Sequence, residues 1–336
     1  MLKDALARTP LVMLAILGVL GAAIVTPVDA QTTLRLGWTT ADAPQDPYAI
    51  TARRFKELVE ERTDGRYRIA LFPNNQLGDE RAMIEAMGIL GTLDMGVITN
   101  APISGFVPAF QVLDMPFLFA DAKQAHKILD GPIGQELLAK LEPIGIKGLG
   151  FSEGGFRYMI NNVRPIKTPS DVQGVKFRVM ENPVYIQMFQ ALGSNPTPMA
   201  WGETFTAVQQ GTIDGLEIPI PVIHQNKYYE VTRYLSLTRH TYSPLVVMVS
   251  MQTWERLPEE DQVIFQEAAR EAIEYTRVRN EMTTARLLKE LQDLGMQVND
   301  IENPALFREM VRPVYERFRD QVGPDLMDRV LAAVSE

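Results

Sequence analysis

Between Leu34 and Ile98 strand-like and helix-like stretches take turns, and few architectures accept that order. Leu34-Arg35-Leu36-Gly37-Trp38 alternates like a strand and gives way to a polar loop, Thr39 to Pro47. Tyr48 to Arg62 then repeats apolar residues at helical spacing and stops at Thr63-Asp64-Gly65. A second strand, Tyr67 to Phe72, runs into Pro73-Asn74-Asn75, followed by a helix over Asp79 to Leu90 and a strand over Leu93 to Ile98. Strand, helix, strand, helix, strand predicts an α/β fold whose sheet is mainly parallel and covered on both faces. In such sheets ligands sit at the carboxyl ends of the strands.

A second block opens near Gly155. Phe156 to Asn161 and Val175 to Val179 read as strands, Pro183 to Leu192 and Gly202 to Gln210 as helices, and Ile213 to Ile218 as a buried strand. Tyr234 to Leu237 and Pro244 to Met251 follow as strands, the latter nearly all apolar, as expected of a strand covered on both faces. Pro258 to Leu294 predicts one long amphipathic helix, and Pro304 to Val334 two more. No repeat or flexible linker separates the blocks, so strands are expected to cross between two domains.

Lys3 and Arg8 precede the apolar run Leu11 to Val25, and Val28-Asp29-Ala30 has the small-x-small form of a cleavage site, so residues 1–30 read as a secretory signal peptide cleaved after Ala30. The apolar run is shorter than the roughly 20 residues that span a bilayer, so the mature protein is expected to be soluble outside the cytoplasm. It carries 31 basic against 40 acidic side chains and no cysteine. A net charge of −9 argues against a nucleic-acid partner. Without cysteine, disulfides and thiolate metal sites are excluded, and the fold must rest on its apolar core.

Few constellations carry chemistry. Gly150-Phe151-Ser152-Glu153-Gly154 matches the G-x-S-x-G of a nucleophile elbow, with His240 as the available base, but a strand follows where the elbow needs a helix. His126, His224 and His240 show no metal-ligand spacing, and no phosphate loop exists, so neither metal nor cofactor is expected. Arg157 and Arg178 remain, each inside an apolar strand. Burying an arginine there is unfavourable unless an anion meets it. That anion is either a ligand or an internal carboxylate, with Glu181, Glu203 and Glu217 as possible partners.

Five segments then carry a resemblance: Leu71 to Arg81, Val175-Lys176-Phe177-Arg178-Val179, Pro196-Thr197-Pro198-Met199, Val208 to Glu217, and Asn226-Lys227-Tyr228-Tyr229-Glu230-Val231. In this order, along essentially the whole mature chain, they resemble the solute-binding proteins of tripartite ATP-independent periplasmic (TRAP) transporters, the DctP-type family. The resemblance implies a type II periplasmic-binding-protein (flytrap) fold of two α/β domains, with a long helix spanning both. The domains are expected at residues 31–154 plus about 244–283, and at 155–243 plus about 284–336.

It also implies a binding protein, not an enzyme, expected as a monomer, that delivers a small organic acid to membrane permease subunits. Arg178 matches the family's carboxylate clamp and Arg157 its second arginine. Trp201 matches an aromatic position against the ligand's carbon skeleton. Thr39, Glu80, Thr99 and Asn100 fall where relatives place hydrogen-bonding groups, and Glu181, Glu217 and His240 complete the candidate ligand-binding set. Ile218 departs from the asparagine that follows this glutamate in many relatives. The loss of that polar contact points to a monocarboxylate, such as a sugar acid, hydroxy acid or oxo acid, in place of a simple dicarboxylate. The alternatives are a sensor reporting to a membrane receptor and a serine hydrolase using Ser152.

Overall fold

The architecture is set by two long strands that run through the middle of one nine-stranded sheet. The computed structural model describes residues 31–335, so the signal peptide read over residues 1–30 lies outside the described residues. The strands are β1 Thr32–Gly37, β2 Tyr67–Phe72, β3 Met95–Thr99, β4 Ile146–Asn161, β5 Phe177–Val179, β6 Thr197–Pro198, β7 Gly215–Pro219, β8 Tyr234–Ser250 and β9 Gln297–Asn299. Their order is β2-β1-β3-β8-β4-β7-β5-β6, with β9 against β8. β1 lies parallel to β2 and β3, and β5 parallel to β6 and β7, so each flank of the sheet is the expected parallel unit. The antiparallel pair β4 and β8 joins the flanks.

β4 fuses two stretches that read separately, Ile146 to Gly150 and Phe156 to Asn161, and β8 does the same for Tyr234 to Leu237 and Pro244 to Met251. The glycine-rich segment between them predicts a break, yet the register merely slips, between Gly148 and Gly150, Glu153 and Gly155, and Arg157 and Met159. At the second slip Gly155 has φ 103°, a left-handed conformation that glycine adopts without a Cβ clash.

Two apolar cores lie on opposite faces of the sheet, and β8 feeds both by strict alternation. Val246 and Met248 enter one core, Leu245, Val247 and Val249 the other. The long helix Glu259–Asp293 spans 35 residues, about 50 Å at 1.5 Å per residue. Near its start Phe265 meets Phe55 and Tyr67 edge-on, and Asp261 takes both nitrogens of Arg66 at 2.6 Å. Near its end Leu287 and Leu291 join the core beside Tyr228, and Glu290 lies 3.0 Å from His224. The helix therefore touches both flanks. Beyond it three helices, Pro304–Val311, Pro313–Val322 and Pro324–Ser335, replace the two expected, because Pro313 and Pro324 each start a new helix.

Candidate ligand-binding site

Strands from both flanks end at one cleft. It offers about 380 Å3 of space free of protein atoms, part of it open to solvent. Thr39, Thr40 and Tyr48 enter from beyond β1 and Glu80 from beyond β2. Arg178 and Met180 come from β5 and just past it, Trp201 from beyond β6, and Ile218, Pro219 and Val222 from the end of β7 and just past it. The crossing strands add Gly154, Arg157 and Ser243. Of the candidate set, Arg178, Arg157, Trp201, Glu80 and Thr39 meet here.

The two arginines differ in what holds them. Arg157 is 3% exposed, and Glu217 on the adjacent strand is fully buried. Arg157 donates through Nε to Glu217 Oε2, and through Nη2 to Glu217 Oε1 at 3.0 Å and to the Glu217 carbonyl at 2.6 Å. Nη1 donates to Ser243 Oγ at 3.1 Å, and the guanidinium stands 5.7 Å from the Tyr185 ring. Burial opposes both charges, but their mutual attraction outweighs it, so the Arg157 pKa is raised and that of Glu217 lowered. Glu217 is thus the internal partner of Arg157.

Arg178 has no such partner. It faces away from Phe177 and Val179, which point into one core, and is itself 3% exposed. Its Nε donates to the Met199 carbonyl at 2.8 Å, and among the described residues the side chain forms no ion pair. Burial lowers its pKa despite nearby Glu217. Both terminal nitrogens of this buried guanidinium are without a hydrogen-bond partner among the described residues.

A hydrogen-bond chain fixes Glu80 on the opposite wall. Thr99 donates to Glu80 Oε1 through its backbone N–H and its hydroxyl, both at 2.7 Å. With that proton committed, Thr99 Oγ1 accepts from the Tyr48 hydroxyl. Glu80 Oε2 has no hydrogen-bond partner among the described residues. Burial pushes the Glu80 pKa up, partly offset by the Thr99 bonds. Trp201 packs its ring 5.3 Å from Tyr228 and is half-buried at the cleft wall.

The remaining candidates stand around the cleft without lining it. Thr99 supports Glu80. Asn100 is buried and donates to the Phe110 carbonyl at 3.0 Å. His240 is buried behind Glu217, with Nε2 3.6 Å from Oε2 and Nδ1 2.8 Å from Thr238 Oγ1. Glu181 is exposed in a second, adjoining recess shared with Arg178, Glu80 and Trp201. Ser152 lies mid-strand, its hydroxyl 2.8 Å from Thr51 Oγ1. Sequence reasoning missed Tyr48, Thr40, Met180 and Ser243. Of these only Tyr48 carried a signal, as an aromatic two residues past Asp46, the capping aspartate of a helix that starts at Pro47.

Residues 39–321 match the model of bacterial extracellular solute-binding protein family 7. The chain belongs to that family. A solute-binding protein of Verminephrobacter eiseniae is 41% identical over 304 residues, 90% of each chain. The 2,3-diketo-L-gulonate-binding periplasmic protein YiaO of Escherichia coli K12 is 36% identical over 312 residues, 92% of this chain and 94% of that one. A TRAP periplasmic solute-binding protein from Polaromonas, solved with bound D-erythronate, superposes with a TM-score of 0.87 at 41% identity, covering 90% of this chain and 99% of that chain. The fold is the two-domain type II fold of these TRAP solute-binding proteins, and the family, a periplasmic one, serves TRAP transport. No described helix is long and apolar enough to cross a membrane.

Proposed function

We propose that this protein captures a hydroxylated monocarboxylic acid of the sugar-acid class by closing its two domains, and hands it to TRAP membrane permease subunits as a monomer without chemically altering it. Arg178 carries this reading, because a buried guanidinium without an internal carboxylate needs an anion from outside. Arg157 is already neutralised by Glu217, which leaves one unpaired cation for one carboxylate and disfavours a second. Glu80, pinned by Thr99, accepts from a ligand hydroxyl, and Trp201 and Ile218 flank the carbon chain. D-erythronate, a hydroxylated monocarboxylate bound by the Polaromonas relative, has this combination of groups.

One domain comprises residues 31–154 and about 244–283, the other 155–243 and about 284–336, and β4 and β8 act as the hinge. A ligand that touches both walls favours the closed state by the difference of its affinities for the two forms.

A thermal-shift panel of sugar acids, hydroxy acids, oxo acids and dicarboxylates, on protein refolded free of co-purified ligand, tests the reading. A ligand at 100 times its Kd adds about 2.7 kcal/mol of stability. Hits confined to hydroxylated monocarboxylates support it. Hits among dicarboxylates alone, or none at all, remove it.

A further inference from the structure

The segment beginning at Asn226 stands out in the sequence, yet none of it lines the cleft. Asn226 follows the helix Ile220–Gln225 beyond β7, on one flank, while the loop from Thr39 to Asp46 follows β1 on the other. The Asn226 amide joins them. Its Oδ1 accepts from the Ala41 N–H at 3.0 Å, and its Nδ2 donates to Asp46 Oδ2 at 3.1 Å and to the Val222 carbonyl of its own helix at 3.1 Å. Beside it Gln225 Oε1 accepts from the Gln45 N–H at 3.3 Å.

Asp46 makes this contact more than a surface touch. It is fully buried, and its Oδ1 accepts from the Thr40 hydroxyl at 2.7 Å and the Tyr48 N–H at 3.0 Å. Thr40 and Tyr48 line the cleft. One carboxylate therefore sets two cleft-facing residues and is gripped from the opposite flank by Asn226. Ala41, Gln45, Gln225 and Asn226 are all half-buried, which places the contact at the rim, where parting walls would break it.

We propose that Asn226 is a closure latch, a positioning residue that holds the two walls together without touching the ligand. This rests on the reading that the protein captures its acid by closing. A contact made only in the closed form raises the closed population, and the apparent affinity of a wall-bridging ligand rises with that population. The effect falls on dissociation, because a closed cleft must open before the ligand leaves.

The test compares wild type, Asn226→Ala and Asn226→Asp, each as residues 31–336, with D-erythronate and the other acids of the panel. Asn226→Ala should weaken binding about tenfold, for two modest hydrogen bonds, through faster dissociation at an unchanged association rate. Its melting temperature should fall further with ligand than without, since the bonds to Ala41 and Asp46 form only when the walls meet, whereas the bond to the Val222 carbonyl is lost in both states. Asn226→Asp, which sets a carboxylate against Asp46, should weaken binding further. Equal affinity of Asn226→Ala and wild type overturns the latch, as does an equal loss of melting temperature with and without ligand. If wild type binds no acid of the panel, the closure reading itself fails and takes the latch with it.

Discussion

Arg157 sits in register with Pro219, but its guanidinium reaches diagonally to Glu217, two positions along the neighbouring strand, and clasps the carboxylate through two nitrogens. The pair is buried, so neither partner can be removed alone without stranding the other's charge. Glu217→Ala and Arg157→Met should each destabilise the protein by about 3–5 kcal/mol. The double variant should lose clearly less than the sum of the two. Denaturant midpoints of the four proteins form the cycle, and additive losses would show that the pair is not energetically coupled.

Arg178 should behave in the opposite way. Since no internal carboxylate depends on it, Arg178→Met should not lower the melting temperature of the ligand-free protein. Affinity for the acid should fall by about 2–5 kcal/mol, the loss expected for one partner of a buried charge-assisted contact. Calorimetric titration together with ligand-free melting separates the two effects. A ligand-free loss as large as that of Arg157→Met would show that a protein carboxylate depends on the guanidinium.

Arg178 was legible in sequence and Glu217's role was not, for a definite reason. An arginine between Phe177 and Val179 announces a buried cation from local alternation alone. Whether it is paired depends on which strands become neighbours, and the β4–β7 pairing that joins Arg157 to Glu217 spans 60 residues. The parallel flanks could likewise be read from strand–helix alternation. The continuity of β4 and β8 could not, because Gly150, Gly154 and Gly155 look like a break when taken alone. Asp46 could be read as a helix cap before Pro47, but its bond to Asn226, on the other flank, spans 180 residues and could not.

Glu80 is expected to sort ligands by their hydroxyls. Glu80→Gln keeps the shape but exchanges an accepting oxygen for an amide, and it also disturbs the bonds from Thr99. The affinity for D-erythronate should drop by about 1–3 kcal/mol, while that for butyrate, a four-carbon acid without hydroxyls, should change little. Equal losses for the two acids would remove Glu80 from hydroxyl recognition.

Acid should favour the fold at Asp114. This residue is buried, and Asn182 donates to it at 2.8 Å across the two flanks. Burial pushes its pKa up to about 7, despite the opposing pull of Asn100, Arg157 and Asn182. A carboxyl whose folded pKa lies above its unfolded value of 3.8 holds its proton more tightly in the native state. Its contribution to stability therefore grows as pH falls through about 7 and levels off below about 4. His240 acts in the opposite sense, since burial lowers its pKa and acid opposes its neutral form. The Asp114 effect is isolated by comparing wild type with Asp114→Asn. Relative to wild type, the variant should be most stable at pH 8 and lose ground by pH 5. A constant difference between the two proteins across that range would exclude the titration.

The central claim is that Arg178 receives the ligand's carboxylate, and a crystal structure of the protein with the acid that gives the largest thermal shift tests it most directly. A single carboxylate is expected on the terminal nitrogens of Arg178 at about 2.7–2.9 Å, with the Arg157–Glu217 pair intact beside it and a ligand hydroxyl on Glu80. A carboxylate placed away from Arg178, or Arg178 paired with a protein carboxylate in the complex, would contradict it.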